Sequence, residues 1–159
     1  MPDREGFVQL AQRYMDTVFR LALSCVKSRV DADDITQTVL LRLYETDKSF
    51  ESDDHLKHWL IRVTLNECKK HWRSPWRRTE DLDAYTQSLA FEEESCRDLL
   101  RAVLALDTKY RVVIYLHYYE GYTIGEMARL LKLPPGTVGT RLARARNRLK
   151  ADLSEEETL

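Results

Sequence analysis

Glycine and proline are scarce in this chain, five and four among 159 residues. So few breakers, set among Leu-rich periodic segments, exclude a turn-rich β architecture and favour an all-α fold. Long apolar runs are missing as well. No segment reads as a transmembrane helix or a secretory leader, so the expectation is a soluble cytoplasmic protein. Cysteine is limited to Cys25, Cys68 and Cys96. Their odd number excludes a simple disulfide framework and fits reduced, buried thiols. An excess of either charge is also absent, the net being −1. A global polycation is thereby excluded, and a nucleic-acid role has to rest on segregated charge. The charge is segregated. Residues 62–78 carry Arg62, Lys69, Lys70, Arg73, Arg77 and Arg78 against one acid, Glu67. Residues 31–34 and 92–94 are acidic blocks. A hydrophobic content of 43% is enough for the core of one domain or two small ones.

The most informative stretch is 119–150. Gly121 suits a left-handed helix end, where a Cβ would clash. Thr123 and Glu126 form a capping box that opens a helix. Ile124, Met127, Ala128 and Leu131 make its apolar face. Leu133-Pro134-Pro135-Gly136 stops that helix, and Pro135 or Gly136 is tolerated in the first turn of the next. In the second helix Val138, Leu142, Ala145 and Leu149 fall on a buried side. Arg141, Arg144 and Arg148 fall at i, i+3 and i+7 on another, with Arg146 and Lys150 flanking. A short helix, a tight turn and an Arg-faced helix fit a DNA-binding helix-turn-helix, or else an amphipathic hairpin with a solvated basic face. Residues near the start of a recognition helix reach base edges, which selects Thr137, Thr140 and Arg141. Arg144, one turn later, could meet base or phosphate. Arg148 lies far enough along to meet phosphate only, or a protein partner.

Upstream, Phe7, Leu10, Tyr14, Val18, Leu21 and Cys25 mark a first helix over 4–27. Asp31 is the expected N-cap of a second, with Asp33 and Asp34 in its first turn and Ile35, Val39 and Leu43 buried. Phe50 stands alone in a polar loop over 46–54. A third helix over 53–73 buries Leu56, Leu60 and Val63. Trp59, Arg62, Asn66, Lys69 and Arg73 recur on one side of it. That stripe suits single-stranded nucleic acid, where bases stack on aromatics and cations follow phosphates. It would equally suit a core tryptophan beside a solvated basic face. Residues 74–91 lack periodicity and read as a linker. Helices over 92–106 and 107–120 would bury Leu99, Leu100, Val103, Leu104 and Leu106, then Val112, Val113, Leu116 and Tyr119. The acidic tail over 154–159 would fray. Cys68 with His71, and His55 with His58, could each put two ligands on one helix face. Neither pair has a partner set at structural-zinc spacing, so neither a metal nor a cofactor is expected, and no enzyme.

Three motifs carry a family resemblance. Asp31-Ala32-Asp33-Asp34-Ile35-Thr36-Gln37 resembles the D-A-x-D-hydrophobic-x-Q motif of sigma factor region 2. Trp59-Leu60-Ile61-Arg62-Val63-Thr64-Leu65-Asn66 resembles the W-L-x-R-I-x-x-N signature that follows it. Residues 119–128, then Gly136-Thr137-Val138 and residues 141–146, resemble region 4. Together they cover nearly the whole chain, which resembles extracytoplasmic-function (ECF) sigma factors, the type with regions 2 and 4 only. The resemblance implies two small helical domains: region 2 over 1–74, a linker over 75–91, and region 4 over 92–153.

It also implies roles. Asp33, Asp34 and Gln37 would dock on the β′ clamp helices of core RNA polymerase. Region 2 would melt the −10 element of promoter DNA. Phe50 and Asn66 would hold a flipped base, beside Trp59, Arg62, Lys69 and Arg73. Region 4 would read the −35 element through Thr137, Thr140, Arg141, Arg144, Arg146 and Arg148, and touch the β flap. An anti-sigma factor is the further partner implied. The chain departs from the family pattern at Leu40, Lys70, Lys132 and Gly139, the last inside the recognition helix. The competing reading is a helix-turn-helix regulator that acts without core polymerase. It accounts for 119–150 but not for the acidic second helix or the Trp59 stripe.

Overall fold

Each helix in the first half of the molecule begins where a short oxygen-bearing side chain satisfies an orphan backbone donor. In the computed structural model, which describes residues 3–75, 80–89 and 94–157 with side chains through Ser154, the chain divides into units 1–79 and 80–159. Arg77, Arg78, Glu92 and Glu93, with the last two residues of the tail, lie outside the described residues.

The first unit contains α1 (Arg4–Val26), α2 (Arg29–Glu45) and α3 (Asp53–Trp72). Asp3 accepts from the Gly6 N–H at 2.6 Å, Ser28 from the Asp31 N–H at 3.3 Å, and Ser52 from the His55 N–H at 3.1 Å. The N-cap of α2 is therefore Ser28 and not Asp31. Asp31 is a buried third residue of the helix, and its Oδ2 lies 3.2 Å from Nε2 of His71 on α3. The sequence pattern favoured Asp31 because any short acid before a periodic run reads as a cap, and Ser28 satisfies the same rule one turn earlier. All three helices pack on one another. Val18, Leu21, Val39, Leu43, Leu60 and Leu65 are almost fully buried between them. Each such side chain contributes about 1.5–3 kcal/mol through removal from water. Glu67 on α3 takes Arg42 of α2 at 2.7 Å and Lys70 at 3.2 Å. The Trp72 indole N–H donates to the Cys25 carbonyl at 2.8 Å, fastening the end of α3 to the end of α1.

The second unit contains α4 (Asp83–Ser88), α5 (Glu94–Ala105), α6 (Thr108–Ile114), a π-helical turn (Tyr115–Tyr119), α7 (Ile124–Leu131) and α8 (Pro135–Glu157). Helix α4 lies inside the aperiodic stretch expected as a linker over 75–91. It buries Leu82 and Thr86, packs on α5, and is closed by the Arg97 Nη2 donating to the Leu89 carbonyl at 3.0 Å. Six residues are too few to show a helical period, so only packing reveals it. The π-turn bonds the Glu120 N–H to the Tyr115 carbonyl at 3.1 Å. It advances the chain past the α-helical register, so Tyr119, expected in the core, is 57% exposed while Tyr115 and Leu116 are buried. Leu99 is likewise exposed, and Ala102 takes its place inside α5. In α7 the buried side is Met127, Ala128 and Leu130, not the expected Ile124 and Leu131. Helix α8 continues to Glu157, past the start of the expected frayed tail.

Candidate nucleic-acid interface

The helix-turn-helix is built locally. Gly121 has φ +78°, the left-handed conformation only glycine adopts freely. The capping box is complete: Thr123 Oγ1 accepts from the Glu126 N–H at 3.1 Å, and Glu126 Oε1 from the Thr123 N–H at 3.0 Å. Helix α7 ends at Lys132, left-handed at φ 57°, with the Leu133 N–H donating back to the Ala128 carbonyl at 3.0 Å. Pro135 then occupies the first position of α8, where its missing N–H costs nothing.

Val138, Leu142 and Ala145 of α8 are buried against the other helices, which fixes the azimuth of everything else on it. Thr137, Thr140, Arg141 and Arg144 come together along one groove of about 380 Å³, completed by Gly136 and by Lys109 and Tyr110 of α6. A second groove continues along the helix between Tyr110, Arg144, Asn147, Arg148 and Ala151. Neither groove is lined by an acid. Sequence reasoning missed Lys109 and Tyr110, because they lie before the helix-turn-helix and reach the site only through the packing of α6 on α8.

Arg146 is not part of this surface. It follows Arg144 by two residues, about 200° round a helix of 3.6 residues per turn. Its guanidinium lies over the Tyr118 ring at 5.4 Å from the centroid, and its Nε donates to the Tyr118 hydroxyl. Gly139 belongs to the same side, since a Cβ there would come no nearer than 4.0 Å to Cδ1 of Ile124.

In the first unit Asp33, Asp34 and Gln37 are all exposed on α2, opposite buried Ile35, Val39 and Leu43. Trp59, Asn66 and Lys69 are half-buried, and Arg62 and Arg73 exposed, along one side of α3. Phe50 is not the free loop aromatic its polar surroundings suggested. Its ring packs edge-on against Trp59 and His55, at 5.4 Å between centroids in both pairs. It remains half-buried, as Trp59 and His55 do, so the aromatic cluster is partly exposed.

The histidines considered as metal ligands are otherwise engaged. His71 faces Asp31, and His55 Nδ1 accepts the Glu51 N–H at 3.1 Å. Among the described residues no three candidate ligands converge. Cys25 and Cys68 are buried, whereas Cys96 is exposed, against the expectation of three buried thiols. Burial, reinforced by the neighbouring Cys25 thiol, pushes the Cys68 thiol well above its usual range and keeps it protonated. No described helix is long and apolar enough to cross a membrane.

A capped helix, a left-handed turn and a cation-faced second helix on a helical unit define a helix-turn-helix DNA-binding protein. Known proteins narrow this. Residues 10–78 match the family model for sigma-70 region 2, and residues 96–149 the model for sigma-70 region 4. The ECF RNA polymerase sigma factor SigM of Mycobacterium tuberculosis is 32% identical over 151 residues, covering 92% of this chain and 76% of the relative. SigW of Bacillus subtilis is 27% identical over 96% of this chain and 91% of its own length. Among solved structures, CnrH in complex with the cytosolic domain of CnrY matches with a TM-score of 0.65 at 27% identity, over 96% of this chain and 90% of that one. RpoE of Bartonella quintana, solved with the anti-sigma factor NepR, shares the fold with a TM-score of 0.70 at 24% identity, over 93% of this chain and 96% of that one. The chain belongs to the ECF sigma factors of the sigma-70 family.

Proposed function

We propose that this chain binds core RNA polymerase in the cytoplasm and directs it to promoters, without enzymatic activity of its own. The observation that carries the reading is the acid-free, cation-lined groove along α8, in a chain whose other unit exposes Asp33, Asp34 and Gln37 on one helix face. The unit over 1–74 docks on the β′ clamp helices through these three side chains. Phe50, Trp59, Arg62, Asn66, Lys69 and Arg73 engage the melted −10 strand, bases stacking on the aromatic cluster and phosphates following the cations. The unit over 92–153 reads the −35 duplex through Thr137, Thr140, Arg141 and Arg144. Arg148 takes phosphate and the β flap lies nearby. Arg146, held by Tyr118, leaves the set of DNA contacts. An anti-sigma factor is the further partner we propose, and the likeness to CnrH, solved in complex with the cytosolic domain of CnrY, supports a protein partner for this chain.

The deciding experiment is transcription in vitro with purified core polymerase on a genomic library, with Asp34→Arg beside the wild type. The expected result is discrete start sites, lost in the variant while helicity is unchanged. Promoter-independent transcription, or a variant that still captures core polymerase, overturns the reading.

A further inference from the structure

The proposed −35 interface has so far been drawn on α8 alone, yet both grooves have a second wall from α6. Tyr110 lines both of them, and Arg144 is the α8 residue shared with it in each. Lys109 stands beside the ring, its Nζ 5.1 Å from the Tyr110 centroid, an arrangement that orients an exposed ammonium. Around this one tyrosine the structure gathers Lys109, Arg141, Arg144 and Arg148. None of the four is ion-paired with an acid among the described residues. Four cations on one solvent-accessible surface create a positive potential that water and salt screen only in part, and an anion that spans them displaces the counterions they hold. A single phosphate would satisfy one or two of them. The sugar–phosphate backbone of duplex DNA presents a row of charges and can satisfy all four.

We propose that Lys109 is a DNA-backbone contact and that Tyr110 is a positioning residue for it and for Arg144, so that the −35 interface extends beyond the helix-turn-helix onto α6. The proposal rests on the reading that α8 binds duplex DNA. Lys109 takes a backbone phosphate beside the strand that α8 reads. It carries no sequence information, because an ammonium on a phosphate is blind to the base. Tyr110 contributes its ring face, which sets where the two cations stand. Its hydroxyl is not needed for that.

The test uses the full chain, titrated against a randomised duplex pool at several potassium chloride concentrations. Lys109→Ala should flatten the salt dependence of log affinity by about 0.9, so that for each fourfold rise in salt the wild type weakens about 3.5-fold more than the variant. The ranking of sequences in the pool should not change. Tyr110→Phe should match the wild type, because the ring remains. Tyr110→Ala should flatten the slope as Lys109→Ala does. A thermal melt accompanies each variant. Should Tyr110→Ala fail to fold, the Lys109→Ala slope and the Tyr110→Phe match decide the matter. A wild-type slope in Lys109→Ala, or a loss in Tyr110→Phe equal to that of Lys109→Ala, overturns the proposal. Arg141→Ala separates this failure from a deeper one. If Arg141→Ala reorders the pool while Lys109→Ala does nothing, only the α6 wall is wrong. If neither changes anything, the reading of α8 falls with it.

Discussion

The first unit and the α8 grooves of the second treat positive charge in opposite ways. In the first, several cations are answered by acids: Arg13 reaches Asp53 at 2.9 Å, and Arg42 and Lys70 converge on Glu67. What that unit leaves open is an aromatic cluster, Phe50 against Trp59, with Arg62 and Asn66 nearby along α3. In the second, α8 lines its grooves with Arg141, Arg144 and Arg148, and no acid lines either groove. Internal pairing lowers the counterion release available on binding, and unanswered charge raises it. The difference teaches a division of labour. The second unit is suited to salt-sensitive capture of a duplex. The first is suited to stacking with unpaired bases, which every base permits through its π-face.

The largest expected effect tests whether the units are separate at all. Leu60→Ala removes a side chain almost fully buried in the first core and should cost about 2–5 kcal/mol there. Hydrogen exchange should show α1–α3 losing protection while α5–α8 keep theirs. Equal loss in both halves would break the comparison.

Next come the two faces themselves. Arg141→Ala should weaken duplex binding by about 1–3 kcal/mol and relax preference at one or two positions, read from a library titration. Phe50→Ala should cost about 1–3 kcal/mol in open-complex formation, seen as lost permanganate reactivity with duplex binding intact. The first loss should shrink as salt is raised, and the second should persist. Matching salt profiles for the two variants would erase the proposed contrast.

A smaller effect concerns Gly139. An alanine Cβ there meets only ordinary contact with Ile124, so Gly139→Ala should stabilise α8 by about 1 kcal/mol in a thermal melt. Sequence preference should be unaltered, because this side of the helix faces away from the groove. The smallest effect is Arg146→Ala, expected to change duplex affinity by under about 0.5 kcal/mol. An Arg146→Ala loss as large as that of Arg141→Ala would return Arg146 to the DNA-binding set.

What was legible in the sequence was what neighbours in the chain decide. The Thr123–Glu126 capping box, the Pro135 start of α8 and its buried Val138, Leu142 and Ala145 all follow from spacing within a few turns. Asp33, Asp34 and Gln37 read as exposed for the same reason. What escaped depends on tertiary packing. Arg146 and Arg144 are both arginines on one helix, and only the arrival of Tyr118 from the π-turn gives them different surroundings. Lys109 and Tyr110 joined the site because α6 packs along α8. Phe50 looked free because its loop is polar, whereas its partner Trp59 lies about two turns into the helix that follows.

The π-turn over Tyr115–Tyr119 behaves as one residue inserted into a helix. Each residue advances an α-helix by about 100°, so the turn offsets all that follows it by that much relative to α6. Buried Val112 and Val113 hold α6 in place upstream, and Tyr118, inside the turn, meets Arg146 of α8. Deleting a single residue from Tyr115–Tyr119 would straighten the helix and leave the sequence of the helix-turn-helix untouched. Its phase would nonetheless be wrong: Lys109 and Arg141 would no longer open onto the same groove. The alignment of the two walls of the groove is thus a matter of counting. A lineage that gained or lost one residue here would have to re-tune every contact across the groove at once.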